Sequence, residues 1–218
     1  MTSQPRAERR AASKPARGPQ GARPMSASGG GSHELRIIGG QWKRSKLPVA
    51  DAPGLRPTPD RVRETLFNWL GQDLDGWRCL DAFAGSGALG FEAASRGAAE
   101  VTLIERDTKL VRGLRAVQER LKATETVRVE AADAVAWMAR CAPDRFDLVF
   151  IDPPFDADLF VPALKAAVRV VVPSGVIYLE ADRSFVDDPL LAELGLRLHR
   201  HGRAGAVHFH LIQRAEPG

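Results

Sequence analysis

The sequence has little that would suit a secreted or membrane-bound protein. It contains only two cysteines, Cys79 and Cys141, and their separation matches no common spacing of metal ligands. No stretch of about 18 apolar residues is present, so we expect no membrane-spanning helix. The basic N-terminus lacks the apolar segment of a secretory signal. These absences favour a cytoplasmic protein with two reduced, buried thiols.

Positive charge is concentrated at the N-terminal end of the chain. Residues 1–33 contain six Lys or Arg and one acidic residue, a net charge of +5, whereas the whole chain carries +4, so residues 34–218 sum to −1. This basic tail is rich in Ala, Pro, Gly and Ser and has no apolar periodicity, which predicts disorder. A disordered basic arm either adds nonspecific attraction to nucleic acid or is a solvated leader without a function.

From residue 78 onward, short apolar runs alternate with segments of helical periodicity. Strands are predicted at 79–81, 101–105, 127–131, 148–152 and 176–181, and helices at 88–96, 110–121, 134–140 and 159–171. This alternation predicts a mostly parallel sheet with helices on both faces. The segments 194–201 and 206–213, joined by 202–205, predict a C-terminal antiparallel hairpin.

The region between the tail and the first of these strands has a different pattern. Residues 35–47 predict two short strands around a Gly-Gly pair, and Thr58 is predicted to cap a helix that continues to about Leu70. Residues 35–70 also hold seven basic residues against three acidic ones. We therefore predict three parts: a tail (1–33), an N-terminal extension that faces RNA (34–71) and an α/β domain (72–218).

A glycine-rich loop, DAFAGSGALG at 81–90, follows the first predicted strand and opens a helix. Gly85, Gly87 and Gly90 satisfy the pattern G-x-G-x-x-G, which lets a ligand approach the backbone beside a helix N-terminus. Glu105 ends the second strand, where a carboxylate can accept hydrogen bonds from two ribose hydroxyls. The pair fits NAD and S-adenosylmethionine (SAM) equally, because both ligands carry an adenosine.

Asp133 follows the third predicted strand. Its carboxylate is positioned either to accept from an adenine amino group, with the Ala134 N–H donating to a ring nitrogen, or to cap the next helix. The sequence is compatible with both roles at once.

The motif DPPF, Asp152 to Phe155, ends the fourth predicted strand. Asp152 would lie at the carboxyl edge of the sheet, where such folds bind ligands. The prolines fix the backbone and leave carbonyls free to point into the cleft, and Phe155 offers a face for stacking. This set suits a flat ring with an exocyclic amine, whose nitrogen would attack the methyl group of SAM. An NAD-dependent enzyme would not require this combination of residues.

These motifs together resemble class I SAM-dependent methyltransferases that modify amino groups of bases. The segment RIIGGQWKRSKLPVADAPGLRPTPDRVRETLFNWL, residues 36–70, further resembles the N-terminal part of bacterial 16S ribosomal RNA guanine-N2 methyltransferases, the RsmD family. The resemblance covers about residues 35–214. It implies a Rossmann-like, mostly parallel seven-stranded sheet and SAM-dependent methylation of guanine 966 at N2 on a partly assembled small subunit. S-adenosylhomocysteine would be the product, with no metal and a monomeric enzyme.

The resemblance also assigns site residues. Residues expected to hold SAM are Asp81, Phe83, Gly85, Gly87, Glu105, Asp133 and Ala134. Residues expected to hold the guanine are Asp152, Pro153, Pro154 and Phe155. Residues expected to face RNA or the cleft are Arg36, Lys43, Arg44, Lys46, Arg56, Arg61 and Arg63. The final strand departs from the family pattern at His208 and His210, which leaves the C-terminal contacts open.

Three other functions stay compatible with parts of the sequence. An adenine-N6 methyltransferase acting on DNA or RNA would use DPPF equally well. A catalytically silent RNA-binding assembly factor would not require an intact glycine loop and DPPF. A nicotinamide oxidoreductase accounts for the glycines but not for DPPF. The histidines at 199, 201, 208 and 210 suggest a metal site across the hairpin only weakly, because no Cys or carboxylate lies near them in sequence.

Overall fold

The computed structural model describes Met1 and residues 34–48, 58–154 and 158–215. The predicted disorder of the tail therefore lies outside the described residues. None of the helices among the described residues is long and apolar enough to cross a membrane.

A seven-stranded sheet forms the centre of the molecule, with the order β5-β4-β3-β6-β7-β9-β8. Its strands are β3 (Arg78–Asp81), β4 (Glu100–Glu105), β5 (Val127–Ala131), β6 (Phe146–Ile151), β7 (Val171–Ala181), β8 (Leu196–Ala204) and β9 (Val207–Arg214). β3 to β7 run parallel, whereas β9 is antiparallel to both β7 and β8. The predicted mostly parallel sheet with a C-terminal antiparallel hairpin is confirmed.

Helices cover both faces of this sheet, because the parallel strands are apolar on both sides. The helices are α1 (Asp60–Trp69), α2 (Ala88–Ser95), α3 (Thr108–Arg120), α4 (Ala134–Arg140), α5 (Phe160–Val170) and α6 (Pro189–Glu193). The first core cluster joins α1, α2 and α3 to one face of the sheet through Phe67, Phe91, Leu114, Phe150 and Tyr178. The second joins α4, α5 and α6 to the other face through Met138, Leu164, Val149, Leu179 and Leu191.

The N-terminal extension packs on α2. Its strands β1 (Glu34–Arg36) and β2 (Lys46–Pro48) form the expected antiparallel pair. The Gln41 N–H donates to the Ser95 carbonyl at 2.8 Å, and the Trp42 N–H donates to the Ser95 hydroxyl at 2.9 Å. The turn of this hairpin therefore lies at the C-terminal end of α2, away from the glycine loop.

Three local expectations were wrong, and one short helix was not predicted. Pro59 rather than Thr58 precedes the first turn of α1, and no side chain caps that helix. β7 already begins at Val171, although its pairing with β6 is interrupted and resumes at Val176. The hairpin turn is confined to Gly205 and Ala206 because β8 continues to Ala204, and the short α6 was not predicted.

Candidate active site at the carboxyl ends of the parallel strands

Acidic side chains collect where neighbouring parallel strands end. They are Asp81 in β3, Glu105 in β4, Asp152 just after β6 and Glu180 in β7. β3 lies between β4 and β6, and Ile151 is in register with Leu179, so Asp152 and Glu180 follow at the same level. The order of the strands reverses between β3 and β6, which is where doubly wound sheets bind their ligands.

The glycine loop connects β3 to α2 and is held against β4. Its Gly85 N–H donates to Glu105 Oε2 at 2.9 Å. Gly85 and Gly87 have φ values of 53° and 76°, in the left-handed region that favours glycine. A Cβ on Gly87 would lie 2.6 Å from the Phe91 ring. A side chain at this position would therefore disturb both the loop and the packing of α2.

Asp81 holds the start of α2 from beneath. Its side chain is almost fully buried, and Oδ2 accepts from the Gly90 N–H at 3.0 Å. Burial raises the pKa of Asp81 to about 7, and the carboxylates of Glu105 and Glu180 add to the shift. Asp81 thus shapes the loop, and its predicted direct contact with a cofactor stays a prediction.

The other residues expected to hold the cofactor lie along the same edge. Glu105 is half-buried and also accepts from the Asp107 N–H at 2.8 Å. Asp133 is exposed and caps α4 by accepting from the Ala136 N–H at 2.8 Å, so the capping role is confirmed. Ala134 and the partly buried Phe83 pack with the second core cluster.

This edge fits SAM chemically. Glu105 and Asp133 place carboxylates at the ends of adjacent strands, where ribose and adenine donors would be bound. No side chain caps α2 at Gly87, and the Gly90 N–H is occupied by Asp81. The N–H groups of Ala88 and Leu89 are therefore the ones that would receive the carboxylate of a ligand. A sulfonium cation bound nearby would favour the ionised forms of the buried acidic groups at this edge.

A buried hydrogen-bonded cluster surrounds Asp152, and sequence reasoning missed it. The Tyr178 hydroxyl donates to Glu180 Oε1 at 2.8 Å, and the Thr58 hydroxyl also bonds to Glu180. Burial raises the pKa of Asp152 well above its usual range, and the Glu180 and Asp81 carboxylates raise it further. Burial also raises the pKa of Glu180, although the bonds from Tyr178 and Thr58 oppose the shift. Together these acids hold protons at pH values where exposed carboxylates have lost theirs.

The structure describes three of the four residues of the DPPF motif. Asp152 is half-buried, Pro153 is buried and Pro154 is exposed. Phe155 lies outside the described residues, so its predicted stacking role stays a prediction.

The basic residues assigned to RNA are distributed over two ends of the molecule. Arg36 and Arg61 are exposed, and so are Lys43, Arg44 and Lys46 in or next to the N-terminal hairpin turn. Arg56 lies outside the described residues. The turn at 41–44 lies at the C-terminal end of α2, whereas Arg61 is in the first turn of α1, which follows Thr58 and the acidic cluster.

Arg63 is a correction to the RNA-facing set, because its side chain is 0% exposed. It donates to Glu92 Oε2 at 3.3 Å, to Asp60 Oδ1 at 2.6 Å and to the Arg36 carbonyl at 2.9 Å. Glu92 is also fully buried and additionally accepts from the Arg96 Nε at 2.9 Å. Arg63 therefore joins α1 to α2 and to the hairpin from inside the protein.

Two cavities lie apart from the carboxylates at the strand ends. One of about 390 Å³ is lined by Glu100, Gln118 and residues 124–129, at the start of β5. A smaller one, of about 180 Å³, lies between α1 and the C-terminal hairpin and includes Arg61.

The histidines of the C-terminal hairpin form a stack of rings. His201 Nε2 lies 3.0 Å from His208 Nδ1, and the centroids of the His201 and His210 rings are 4.9 Å apart. His210 is buried, and its Nε2 accepts from the Phe185 N–H at 3.1 Å. Burial lowers the pKa of His210 to about 4. Among the described residues, no group of three His, Cys, Asp or Glu side chains is arranged to hold a metal ion.

Comparison with known proteins places this architecture in a family. The family described as Conserved hypothetical protein 95 matches residues 35–213. Ribosomal RNA small subunit methyltransferase D of Escherichia coli K12 is 44% identical over 86% of this chain and 94% of its own length. The protein of the same name from Haemophilus influenzae is 39% identical over 83% and 94%, respectively.

Solved structures agree with this assignment. The Escherichia coli protein yhhF has a TM-score of 0.72 and 39% identity, covering 84% of this chain and 98% of that one. A structure from Haemophilus influenzae has a TM-score of 0.68 and 34% identity, covering 84% and 99%. Precorrin-6y C5,15-methyltransferase of Geobacter metallireducens, at 20% identity and a TM-score of 0.60, shares the fold alone. The chain belongs to the ribosomal RNA small subunit methyltransferase D (RsmD) family and has the class I methyltransferase fold.

Proposed function

We propose that this protein transfers the methyl group of SAM to the exocyclic N2 amine of a guanine in 16S ribosomal RNA. The observation that carries the proposal is the half-buried Asp152, followed by two prolines and lying next to the glycine loop at the strand-order reversal. Curated relatives that cover most of the chain are named ribosomal RNA small subunit methyltransferase D. The family resemblance makes guanine 966 the target, within a 30S subunit or an assembly intermediate. The enzyme would act in the cytoplasm as a monomer.

The cofactor would be held by the carboxyl ends of β3, β4 and β5. SAM supplies an electrophilic methyl carbon when it is bound. Glu105 would accept from both ribose hydroxyls, and the Asp133 carboxylate with the Ala134 N–H would hold the adenine. The open N-terminus of α2 and the backbone of Gly85 and Gly87 would receive the amino-acid end.

Asp152 would orient the amine and then take its proton. Its carboxylate and the Pro153 carbonyl would each accept one N–H of the guanine amine, which aims the nitrogen lone pair across the cleft. Positioning of the two reacting atoms at about 3–3.5 Å would supply most of the rate. After transfer the methylated nitrogen is strongly acidic, and its proton passes to Asp152. Burial and Glu180 raise the pKa of Asp152, and the sulfonium charge of bound SAM would oppose this shift, so that Asp152 would be ionised when it accepts the proton.

The target base must be clear of its neighbours for this geometry. Guanine N2 lies in the minor groove of a duplex, so the nucleotide would have to be in a loop or flipped out of its stack. A fully paired helix should therefore be a poor substrate, and Phe155 is the residue that we propose stacks on the extruded ring.

The test compares Asp152→Asn with Asp182→Asn in single-turnover methylation of small subunits from cells that lack the gene. Asp152→Asn should lower the rate by roughly 10²-fold, because the amide adds a donor that opposes the amine and can no longer accept a proton. Asp182 is exposed just beyond β7, so its variant should react at the normal rate. SAM binding, measured by calorimetry, should be unchanged in both variants.

Mass spectrometry of nucleosides from the methylated 16S rRNA identifies the product. N2-methylguanosine at a single position supports the proposal, whereas N6-methyladenosine would replace it with the adenine alternative. A normal rate for Asp152→Asn, or a defect confined to SAM affinity, would remove Asp152 from the chemistry.

A further inference from the structure

The C-terminal hairpin is basic along its whole length. Residues 194–215 contain four Arg and four His and no Asp or Glu. They form β8 and β9, and β8 is the edge strand of the sheet. Positive charges on an edge strand discourage its pairing with strands of other molecules.

Three arginines of β8 point away from compensating charge. Arg197, Arg200 and Arg203 are exposed, and no carboxylate of the described residues lies within 4.0 Å of their guanidinium groups. Arg214, at the other end of the hairpin, is in contrast paired with Asp144 at 2.8 Å. No carboxylate of the described residues therefore neutralises these three guanidinium groups; Arg203 Nε donates to the Gly205 carbonyl at 2.9 Å, and its charge is still available to an anion from outside the molecule.

The register of the sheet relates Arg203 to the proposed catalytic residues. Arg203 is opposite His208, which is opposite Ala181, and Leu179 is opposite Ile151. Ala181 and Arg203 are therefore at the level of Pro153. Three interstrand spacings of about 4.8 Å separate β8 from β6, so the Arg203 backbone is about 14 Å from that of Pro153.

Arg197 and Arg200 continue the basic surface along the edge. Arg200 is opposite Leu211, which packs in the first core cluster with α1. Arg197 is six residues before Arg203, about 20 Å along an extended strand. The edge strand thus carries positive charge from the level of the proposed active site to the opposite end of the sheet.

A cavity connects this edge to α1. Its volume is about 180 Å³, and it is lined by Arg61, Val62, Thr65, Arg203, Ala204 and Phe209. The Phe209 ring is packed against Trp69 of α1, with centroids 5.3 Å apart, which fixes the hairpin on the helix. Arg61 lines this space from α1, whereas the Arg203 side chain lies on the opposite face of β8, because its register partner His208 is paired with Ala181 of the second core cluster. Cationic guanidinium groups therefore flank both sides of this edge, an arrangement that suits phosphate groups.

We propose that Arg61, Arg197, Arg200 and Arg203 form a track that binds backbone phosphates of the RNA strand beside the target nucleotide. The inference rests on the proposed function, because it takes the RNA to be the methyl acceptor held at Asp152. Arg203, at the level of Pro153, holds the phosphate nearest the target, and Arg61, Arg200 and Arg197, on the α1 side of the edge, hold the strand as it leaves. The N-terminal turn with Lys43 and Arg44 lies at the other end of α2, so it contacts RNA farther from the reacting base.

The test removes the charges of β8 and compares a matched triple variant. Arg197→Gln/Arg200→Gln/Arg203→Gln is measured beside Arg112→Gln/Arg115→Gln/Arg140→Gln, whose arginines are exposed on α3 and α4. Binding to small subunits lacking the methyl group is followed over a range of salt concentrations. The β8 variant should lose about two units from the slope of log K against log salt, since each phosphate contact contributes about 0.7–0.9. The α3/α4 variant should keep the wild-type slope.

Kinetics separate this inference from the proposed function. The β8 variant should raise KM for the small subunit at least about tenfold, with kcat and SAM affinity close to wild type. A triple Arg→Lys variant at the same positions should recover most of the slope, because lysine retains the charge. Arg61→Gln alone should remove roughly one unit.

Several outcomes would overturn the inference. An unchanged slope and KM in the β8 variant, with wild-type enzyme that methylates 16S rRNA, would refute the track and leave the function intact. Equal losses in the α3/α4 variant, or no recovery with lysine, would also refute it. Wild-type protein that transfers no methyl group to RNA would instead refute the proposed function.

Discussion

The buried carboxylate of Glu92 is the point at which substitution should cost most stability. Glu92 accepts from the Ile38 and Gly39 N–H groups at 2.8 and 2.7 Å, as well as from Arg63 and Arg96. Both Glu92 and Arg63 have side chains that are 0% exposed. Side chains without exposed surface cannot replace a lost partner by bulk water, so a change of charge at this position is not screened by solvent.

Glu92→Gln keeps the size of the side chain but removes its charge and turns one acceptor oxygen into a donor. The new amide NH2 group would face backbone N–H groups and arginine side chains, which are also hydrogen-bond donors. Breaking a buried ion pair by removing one partner costs about 3–5 kcal/mol, because the other charge is left uncompensated. We expect a loss of this size, which is a large part of the 5–15 kcal/mol that typically stabilises a domain.

Urea unfolding followed by circular dichroism measures this loss. The control is Glu119→Gln, an exposed position on α3 that should change stability by no more than about 0.5 kcal/mol. Arg63→Met in the Glu92→Gln background should cost much less than Arg63→Met alone, since the pair is already broken. A loss below about 1 kcal/mol for Glu92→Gln, or additive effects in the double variant, would refute the structural role assigned to this pair.

Two further variants test the cofactor edge. Glu105→Ala should weaken SAM binding by roughly tenfold or more in calorimetry, because charge-assisted hydrogen bonds are worth about 1.5–3 kcal/mol, and unchanged affinity would remove Glu105 from the site. Asp81 has a pKa of about 7 against 3.8 when exposed, so the folded state keeps a proton that the unfolded chain has lost, and stability falls as pH rises through this window. Asp81→Asn retains an acceptor for Gly90 and should stabilise the protein by roughly 2–4 kcal/mol at pH 8 but little at pH 4. Urea unfolding that gives the same difference at both pH values would contradict this account.

Much of the fold could be predicted because the patterns that identify its strands and helices are formed by residues close together in the sequence. The parallel strands are buried on both faces, so each is a short apolar run, and β5 and α4 have the predicted bounds. The glycine loop and Asp152 could be identified because each depends on residues adjacent in sequence. Strand order could only be assumed, and it alone brings Glu180 beside Asp152.

The missed features depend on contacts between distant residues. Arg63 is one of several arginines in a basic segment; helical spacing places it, unlike Arg61, beside Leu66 and Phe67 on the apolar side of α1, but this spacing does not identify its partner. Its burial is possible only because Glu92 lies 29 positions away in sequence but within 3.3 Å in space. Thr58 has the chemistry of a helix cap, yet its hydroxyl bonds to Glu180 instead. In each case a long-range polar partner prevailed over the local preference.

The position of α2 determines which parts of the protein unfold together. The helix has eight residues, too few to be stable alone, and it is restrained at its start through Gly90 and along its body through Glu92 and Ser95. Fraying at either end would release the restraints at the other, so the glycine loop and the hairpin at 34–48 belong to one cooperative unfolding unit. The amide protons of Ile38 and Trp42, which are far from the loop in sequence, should exchange more slowly once a ligand orders that loop. Deleting the hairpin should in turn loosen the loop, so in this protein the hairpin is not a detachable module.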